Sequence, residues 1–169
     1  MLLYALLLCP GAALVTKSTP DGWHVEDTRF HGPNVLSCVT VSGPQRMPLI
    51  GAYLPTSSLA FLPLLESALQ LHATSDSVTV LADLNADIYD LTKPRNQLVA
   101  TTLANYGLLD LLHHFRQRPR FRHRQTWFQM RQGTLHRSRC DCILCTDRQL
   151  FESVQLKEPR NYSSDHLML

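Results

Sequence analysis

The chain has 169 residues, 44% of them apolar and 18% charged, with a net charge of +2. That length suits one domain able to bury a core, and the composition excludes a disordered chain. No apolar run reaches the roughly 18 residues a membrane-spanning helix needs, and ten prolines argue against a helical bundle or coiled coil.

The first segment, MLLYALLLCPGAALV, reads as a buried strand broken at Pro10-Gly11 and resumed over residues 12–15. A secretory signal is disfavoured, because nothing positive precedes the apolar run and no small-x-small cleavage site follows it. VLSCVTV (35–41) alternates and is β-branched, which predicts a strand, and PLIGAYLP continues as another after Gly43-Pro44. In SSLAFLPLLESALQLHA, Leu62, Leu65 and Leu69 and the neighbouring Phe61 and Ala68 fall on one helical face, Ser57 or Ser58 is the expected N-cap, and Pro63 belongs in the first turn or so. SVTVLADLNAD predicts a short strand over 78–82 running into polar residues. A second helix is expected over 94–106, opened by Pro94 and stopped by Gly107. Further strands are expected near 126–129, 139–145, 154–156 and 165–169. Interspersed strands and helices, with many strands antiparallel, predict an α/β (α+β) arrangement of sheets covered by helices.

Charge is unevenly distributed. Residues 116–139 hold eight arginines and no Asp or Glu, leaving eight Lys/Arg against fourteen Asp/Glu, a net −6, in the rest. A basic segment on an acidic body points to an exposed strip that binds a polyanion, built from Arg116, Arg118, Arg120, Arg122, Arg124, Arg131 and onward to Arg139. Trp127 and Phe128, interleaved there, could stack on bases or pack in the core; packing is the preferred reading for Trp127. The five cysteines, Cys9, Cys38, Cys140, Cys142 and Cys145, are odd in number and unevenly spread, a poor disulfide framework that points to a reducing intracellular compartment.

Three stretches carry polar groups suited to chemistry. In LADLNAD, Asp83 and Asn85 are two apart after an apolar strand, so both could face one ligand: a carboxylate to move a proton and an amide to orient a water or oxyanion. An Asx turn is the structural alternative. In SRCDCILC, alternation puts Arg139, Asp141 and Ile143 on one face and Cys140, Cys142 and Leu144 on the other. A carboxylate in an apolar strand needs a partner, and His166 of the terminal SSDH is the expected one; their pairing would fix the imidazole tautomer and leave Asp165 for a metal.

IGAYLP, LADLNAD, QTW, RCDCIL and SDH occur in that order. With them the chain resembles the endonuclease/exonuclease/phosphatase superfamily of deoxyribonuclease I and the apurinic endonucleases, and above all the endonuclease domains of non-LTR retrotransposons. The resemblance runs from about Gly11 to Leu169 and identifies residues 1–169 as a single partial domain of this kind. It implies a four-layer sandwich of two mostly antiparallel sheets flanked by helices, and divalent-metal-dependent phosphodiester hydrolysis with Mg²⁺ or Mn²⁺. By motif position Tyr53 would lie at the scissile phosphate, Asp83 would be the acid/base group, Asn85 would orient the reacting oxygen, Asp141 would polarise His166, and Asp165 would bind the metal. The implied partner is nucleic acid, with DNA expected, in a protein once fused to a reverse transcriptase; the implied compartment is the nucleus.

The sequence departs from the family in ways that matter. Members open with a strand ending in Asn and a strand carrying a metal-binding Glu. Here Glu26, Glu66, Glu152 and Glu158 all follow the matched GAALV strand, none in a matching context, and Cys142 replaces an aromatic residue. The expectation is an N-terminally truncated domain, lacking those strands, with reduced or no activity. Two alternatives are a non-catalytic nucleic-acid-binding remnant and a zinc module built from His136, Cys140, Cys142 and Cys145.

Overall fold

The computed structural model describes residues 22–115 and 126–151, together with the backbone of 3–8 and 11–16. Ten strands and three short helices are placed: β1 (Leu3–Leu8), β2 (Gly11–Thr16), β3 (His24–Gly32), β4 (Val35–Ser42), β5 (Gln45–Tyr53), α1 (Leu62–Leu71), β6 (Thr79–Asp83), α2 (Pro94–Asn105), β7 (Leu109–Asp110), α3 (Leu111–His114), β8 (Trp127–Arg131), β9 (Thr134–Ser138) and β10 (Asp141–Cys145). A six-stranded sheet in the order β3-β4-β5-β6-β10-β7 organises them, flanked by the two-stranded pairs β1-β2 and β8-β9.

Every pairing is antiparallel except β5 with β6. A parallel neighbour cannot be reached by a tight turn, so the chain crosses over through α1 between those strands. Pro63 explains where α1 begins: without an N–H it is confined to the first turn, so the helix starts at Leu62 with Phe61 as N-cap and no side-chain cap. The cap expected from Ser57 or Ser58 is therefore not made; the Ser58 hydroxyl accepts from the Ala60 N–H in the preceding turn at 3.0 Å.

One face of the sheet is the helix-covered core. Val35, Ile50, Ala52, Val80, Ala82, Cys142 and Leu144 pack against Leu62, Leu65, Ala68 and Leu69 of α1 and Val99 and Leu103 of α2. The alternate residues face the other way, and there too Cys38, Thr40, Leu49, Thr79 and Cys145 are buried. The β1-β2 backbone runs beside β4 and β5. Val35 to Val41 is consequently buried without interruption, as a strand covered on both faces must be.

Several expected boundaries move. The apolar opening is an antiparallel hairpin rather than one interrupted strand. β10 begins at Asp141, not Arg139. The strand expected at 126–129 is the first half of the β8-β9 hairpin, whose turn residues Gln132 and Gly133 both have positive φ, 48° and 78°, the backbone a two-residue hairpin turn requires. The strands expected at 154–156 and 165–169 lie outside the described residues.

Candidate active site at the strand ends

The pairing of β5, β6 and β10 fixes three of the expected site residues side by side. Tyr53 is the register partner of Asp83, and Asp83 is the register partner of Asp141. Opposed residues on neighbouring strands point to the same face, so these three share the face away from the helices. Asp83 and Asp141 are buried and Tyr53 is half-buried. The ladder continues one step beyond Asp83, where the Leu84 N–H donates to the Cys140 carbonyl at 2.8 Å.

Asn85 departs from the strand. The Asn85 N–H donates to Asp83 Oδ1 at 3.0 Å and its φ is 44°. This is an Asx turn, and it replaces the shared strand face expected of Asp83 and Asn85: a carboxylate at a strand's last position captures the second amide beyond it. Asn85 stays beside Asp83, held by that turn rather than by pleating.

Asp141 is anchored from behind. Thr126, fully buried, accepts through Oγ1 from the N–H of Cys140 at 3.2 Å and of Asp141 at 3.0 Å. Cys140 turns its thiol to the same place, with Sγ 3.6 Å from Asp141 Oδ2. Ligand atoms of Asp83, Cys140 and Asp141 all lie within 4.8 Å of one another. Burial, then the carboxylates of Asp141 and Asp83, push the Cys140 thiol well above the usual cysteine range. The carboxylates are hard oxygen donors that fit the Mg²⁺ or Mn²⁺ implied by the resemblance, while the thiol is a soft donor that does not. His166 and Asp165 lie outside the described residues.

Sequence reasoning missed Arg95. From the first turn of α2 its guanidinium donates to six carbonyls: Asn85 (3.2 Å), Leu84 (3.2 Å), Leu54 (3.3 Å), Pro55 (2.9 Å), Thr56 (3.4 Å) and Ser58 (3.5 Å). It thereby ties the segment leaving β5 to the segment leaving β6, the two that carry Tyr53 and Asp83. Burial lowers the basicity of this guanidinium and the nearby Asp83 charge opposes that shift. Arg95→Ala is expected to cost about 2 kcal/mol, since hydrogen bonds from a charged donor are worth roughly 1.5–3 kcal/mol and the loops are partly wet. Arg95→Lys should recover little, because an ammonium cannot fork to both loops. Urea denaturation of the two variants checks this; equal stability of wild type and Arg95→Ala would contradict it.

A second polar cluster borders the site. The buried guanidinium of Arg139 pairs with Asp110, lies 4.9 Å from the Tyr89 ring centroid, and leaves its Nε without a hydrogen bond. Tyr89 donates to Asp110 Oδ2 at 3.2 Å and stacks on His113 at 4.6 Å. Asp110 Oδ1 caps α3, accepting from Leu112 N at 2.9 Å and His113 N at 3.2 Å. The basic strip therefore does not extend to Arg139, which faces inward because a buried carboxylate waits for it. Arg131 and Arg137 are exposed on the β8-β9 hairpin, Arg131 lying 6.0 Å over the half-buried Trp127 ring. Arg116, Arg118, Arg120, Arg122 and Arg124 lie outside the described residues.

The zinc alternative is corrected. Among the described residues only Asp83, Cys140 and Asp141 gather as a possible ligand group. Cys142 belongs to the helix-side core, Cys145 pairs across the ladder with Thr79, and His136 is exposed on β9. Strand alternation sends Cys142 to the helix-side core, and burial pushes the Cys145 thiol up to about 11. No helix among the described residues is long and apolar enough to cross a membrane.

Neither a protein-family model nor a curated protein matches the sequence. Solved structures do match in shape. The chain is similar to the endonuclease domain of TRAS1, a telomere-specific non-LTR retrotransposon, at 19% identity and a TM-score of 0.65, covering 80% of this chain and 61% of that one. It is similar to the 3' phosphatase NExo from Neisseria bound to product DNA hairpin, at 17% identity and a TM-score of 0.61, covering 87% and 77%. An endonuclease/exonuclease/phosphatase family protein from Leptotrichia buccalis matches at 15% identity and a TM-score of 0.53, covering 79% and 51%. The chain thus spans about three fifths of the TRAS1 domain. At these identities the likeness establishes the fold: the α/β sandwich of the endonuclease/exonuclease/phosphatase proteins.

Proposed function

From a chain with the endonuclease/exonuclease/phosphatase sandwich, we propose a retrotransposon-type endonuclease domain that cleaves phosphodiester bonds in DNA with Mg²⁺ or Mn²⁺. One observation carries this reading: two buried carboxylates, Asp83 and Asp141, opposite each other on adjacent strands with Tyr53 in register beside them. In a fold shared with the TRAS1 endonuclease domain and with NExo bound to product DNA, such a pair supports proton transfer at a phosphate.

In the proposed mechanism Asp83 moves the proton of the attacking water or the leaving oxygen, and Asn85, held against it by the Asx turn, orients that oxygen. Asp141, fixed by Thr126, holds the His166 imidazole in the tautomer and charge state that suit a phosphate oxygen. Tyr53 contacts the scissile phosphate. Asp165 would hold the cation, which when bound polarises the phosphoryl group and offsets charge on the leaving oxygen. Arg131 and the arginines from Arg116 to Arg124 supply backbone contacts to the nucleic acid. A domain of this kind works fused to a reverse transcriptase and in the nucleus, and the proposal extends to both.

Plasmid nicking with Mg²⁺ and Mn²⁺, stopped by EDTA, tests the reading on the 169-residue chain and on a version extended upstream through the Asn- and Glu-bearing strands of the resemblance. The extended version is expected to nick and the short chain to nick slowly or not at all, because neither of the glutamates in the described residues joins the Asp83–Asp141 group. Nicking by neither version, with nucleic acid still bound, would favour the non-catalytic binder. Binding itself should weaken with salt, the slope of log affinity against log salt being about −0.9 per phosphate contact on duplex DNA. Salt-independent binding would rule out the basic strip as its source.

A further inference from the structure

We propose that the seam between α1 and β3 is an acid-sensitive joint, closed while the imidazole of His72 is neutral and loosened when that ring takes up a proton. His72 ends α1 as its C-cap and is 9% exposed. Among the described residues its Nε2 is buried without a hydrogen-bond partner. A neutral ring tolerates this, since Nε2 is then a bare acceptor. An imidazolium does not, because both ring nitrogens carry N–H groups and one would lie buried with no acceptor.

The surroundings add charge of the wrong sign. α1 lies close on β3, where a Cβ added to Gly32 would come within 2.6 Å of Leu64 Cδ1. The charged groups that act on His72 are His31, Arg29 and Asp27, all on β3. Two of them oppose protonation, and the one acid, Asp27, already faces Arg46 at 3.6 Å. Of the other described strands packed against α1, β4 offers only Cys38, which faces away from the helices, and β5 only Arg46 and Tyr53. α1 itself holds one acid, Glu66, more than a turn away along the helix, and the segment after it the exposed Asp76. Burial, then His31 and Arg29, hold the His72 ring below the ordinary histidine value of 6.5. The stability it contributes is therefore complete above 6.5 and is lost as pH falls from there toward the lower value of the folded ring. His31 differs, because its Nε2 lies 2.9 Å from Ser37 Oγ, a hydroxyl that accepts from the charged ring. The turn after β3 carries Asn34, whose carbonyl accepts from the Tyr53 N–H at 2.8 Å, so a loosened β3 frees that end of β5. Only its consequence for cleavage rests on the proposed nuclease reading.

The experiment is an NMR titration of the full 169-residue chain from about pH 8 to about pH 5. It reads the His72 ring resonances and the amide-exchange protection of β3 and α1. His72 is expected to titrate with a midpoint below 6.5. Protection at the seam should fall about fivefold or more as it does, the lower end for one unmatched buried donor. His72→Phe keeps a ring with nothing to protonate and should hold its protection across the same range. Arg29→Gln, at an exposed position, removes one opposing charge and should raise the His72 midpoint. A midpoint at or above 6.5 in the folded wild type, an equal loss of protection in His72→Phe, or a midpoint unmoved by Arg29→Gln would each overturn the joint. Should His72→Phe fail to fold, the wild type and Arg29→Gln decide the matter alone. None of these readouts depends on cleavage, so a chain that never nicks counts only against the nuclease, and a silent His72 only against the joint.

Discussion

Asp110→Ala is expected to destabilise the fold by about 4 kcal/mol, near the upper range for a single substitution. The substitution strands the Arg139 guanidinium, whose side chain is 10% exposed and whose Nε already lacks a hydrogen bond. It also removes the acceptor of the Tyr89 hydroxyl and the cap of α3. Breaking a buried pair from one side costs roughly 3–5 kcal/mol, and a lost cap about 1 kcal/mol more. For a chain of this length that corresponds to a fall in Tm of about 8–16 °C. Arg139→Met in the same background should restore part of the loss, because no charge is then left buried without a partner. Thermal and urea denaturation of the single and double variants measures both effects. A cost below about 1 kcal/mol for Asp110→Ala would mean that Arg139 reaches water when its partner is gone. The pair also matters to the site: Arg139 lies two residues before Asp141, so releasing it loosens the entry to β10.

Parts of this architecture were legible in the sequence for identifiable reasons. The α1 face of Leu62, Leu65, Ala68 and Leu69 is set by helical spacing alone, and all four residues are buried. α2 was legible at both ends, from Pro94 and from Gly107 with its φ of 67°. The apolar strands β4, β5 and β6 could be found by composition. The alternation read in VLSCVTV did not mark one exposed face, however, because Val35 to Val41 is buried throughout. β3 was missed because HVEDTRFHG is polar and mostly exposed, with register shifts that break any period of two.

The grouping of Tyr53, Asp83 and Asp141 in the candidate site was legible in part, by residue more than by geometry. Order of motifs picked out Tyr53, Asp83 and Asp141, and the register of three strands gathers them. Asn85 was right as a neighbour and wrong as a strand residue, since local capture of its amide by Asp83 outcompetes the ladder. Arg95 could not be found, because its six acceptors are backbone carbonyls that carry no sequence signature. Arg139 was misread as exposed because it closes an arginine-rich stretch whose described members Arg131 and Arg137 are solvent-facing, while Asp110, its buried partner, is 29 residues away.

The largest functional effect is expected from Asp83→Asn. The amide keeps the volume of the side chain and an oxygen able to accept the Asn85 N–H, so the Asx turn survives. It also removes the carboxylate charge that favours the nearby Arg95 guanidinium, so the Tm of the variant is measured alongside its activity. What it cannot do is exchange a proton at neutral pH, and general acid-base catalysis contributes about 10²–10⁴-fold to rate. A substitution that spares the fold yet abolishes cleavage separates chemistry from structure, which Asp83→Ala would not do as cleanly. The decisive measurement is the Mg²⁺-dependent plasmid-nicking rate of the upstream-extended chain with and without Asp83→Asn, at matched Tm and matched DNA affinity. The account predicts a loss of about 10²-fold or more in the variant; a variant that nicks as fast as wild type would contradict the assignment of this strand end as the active site.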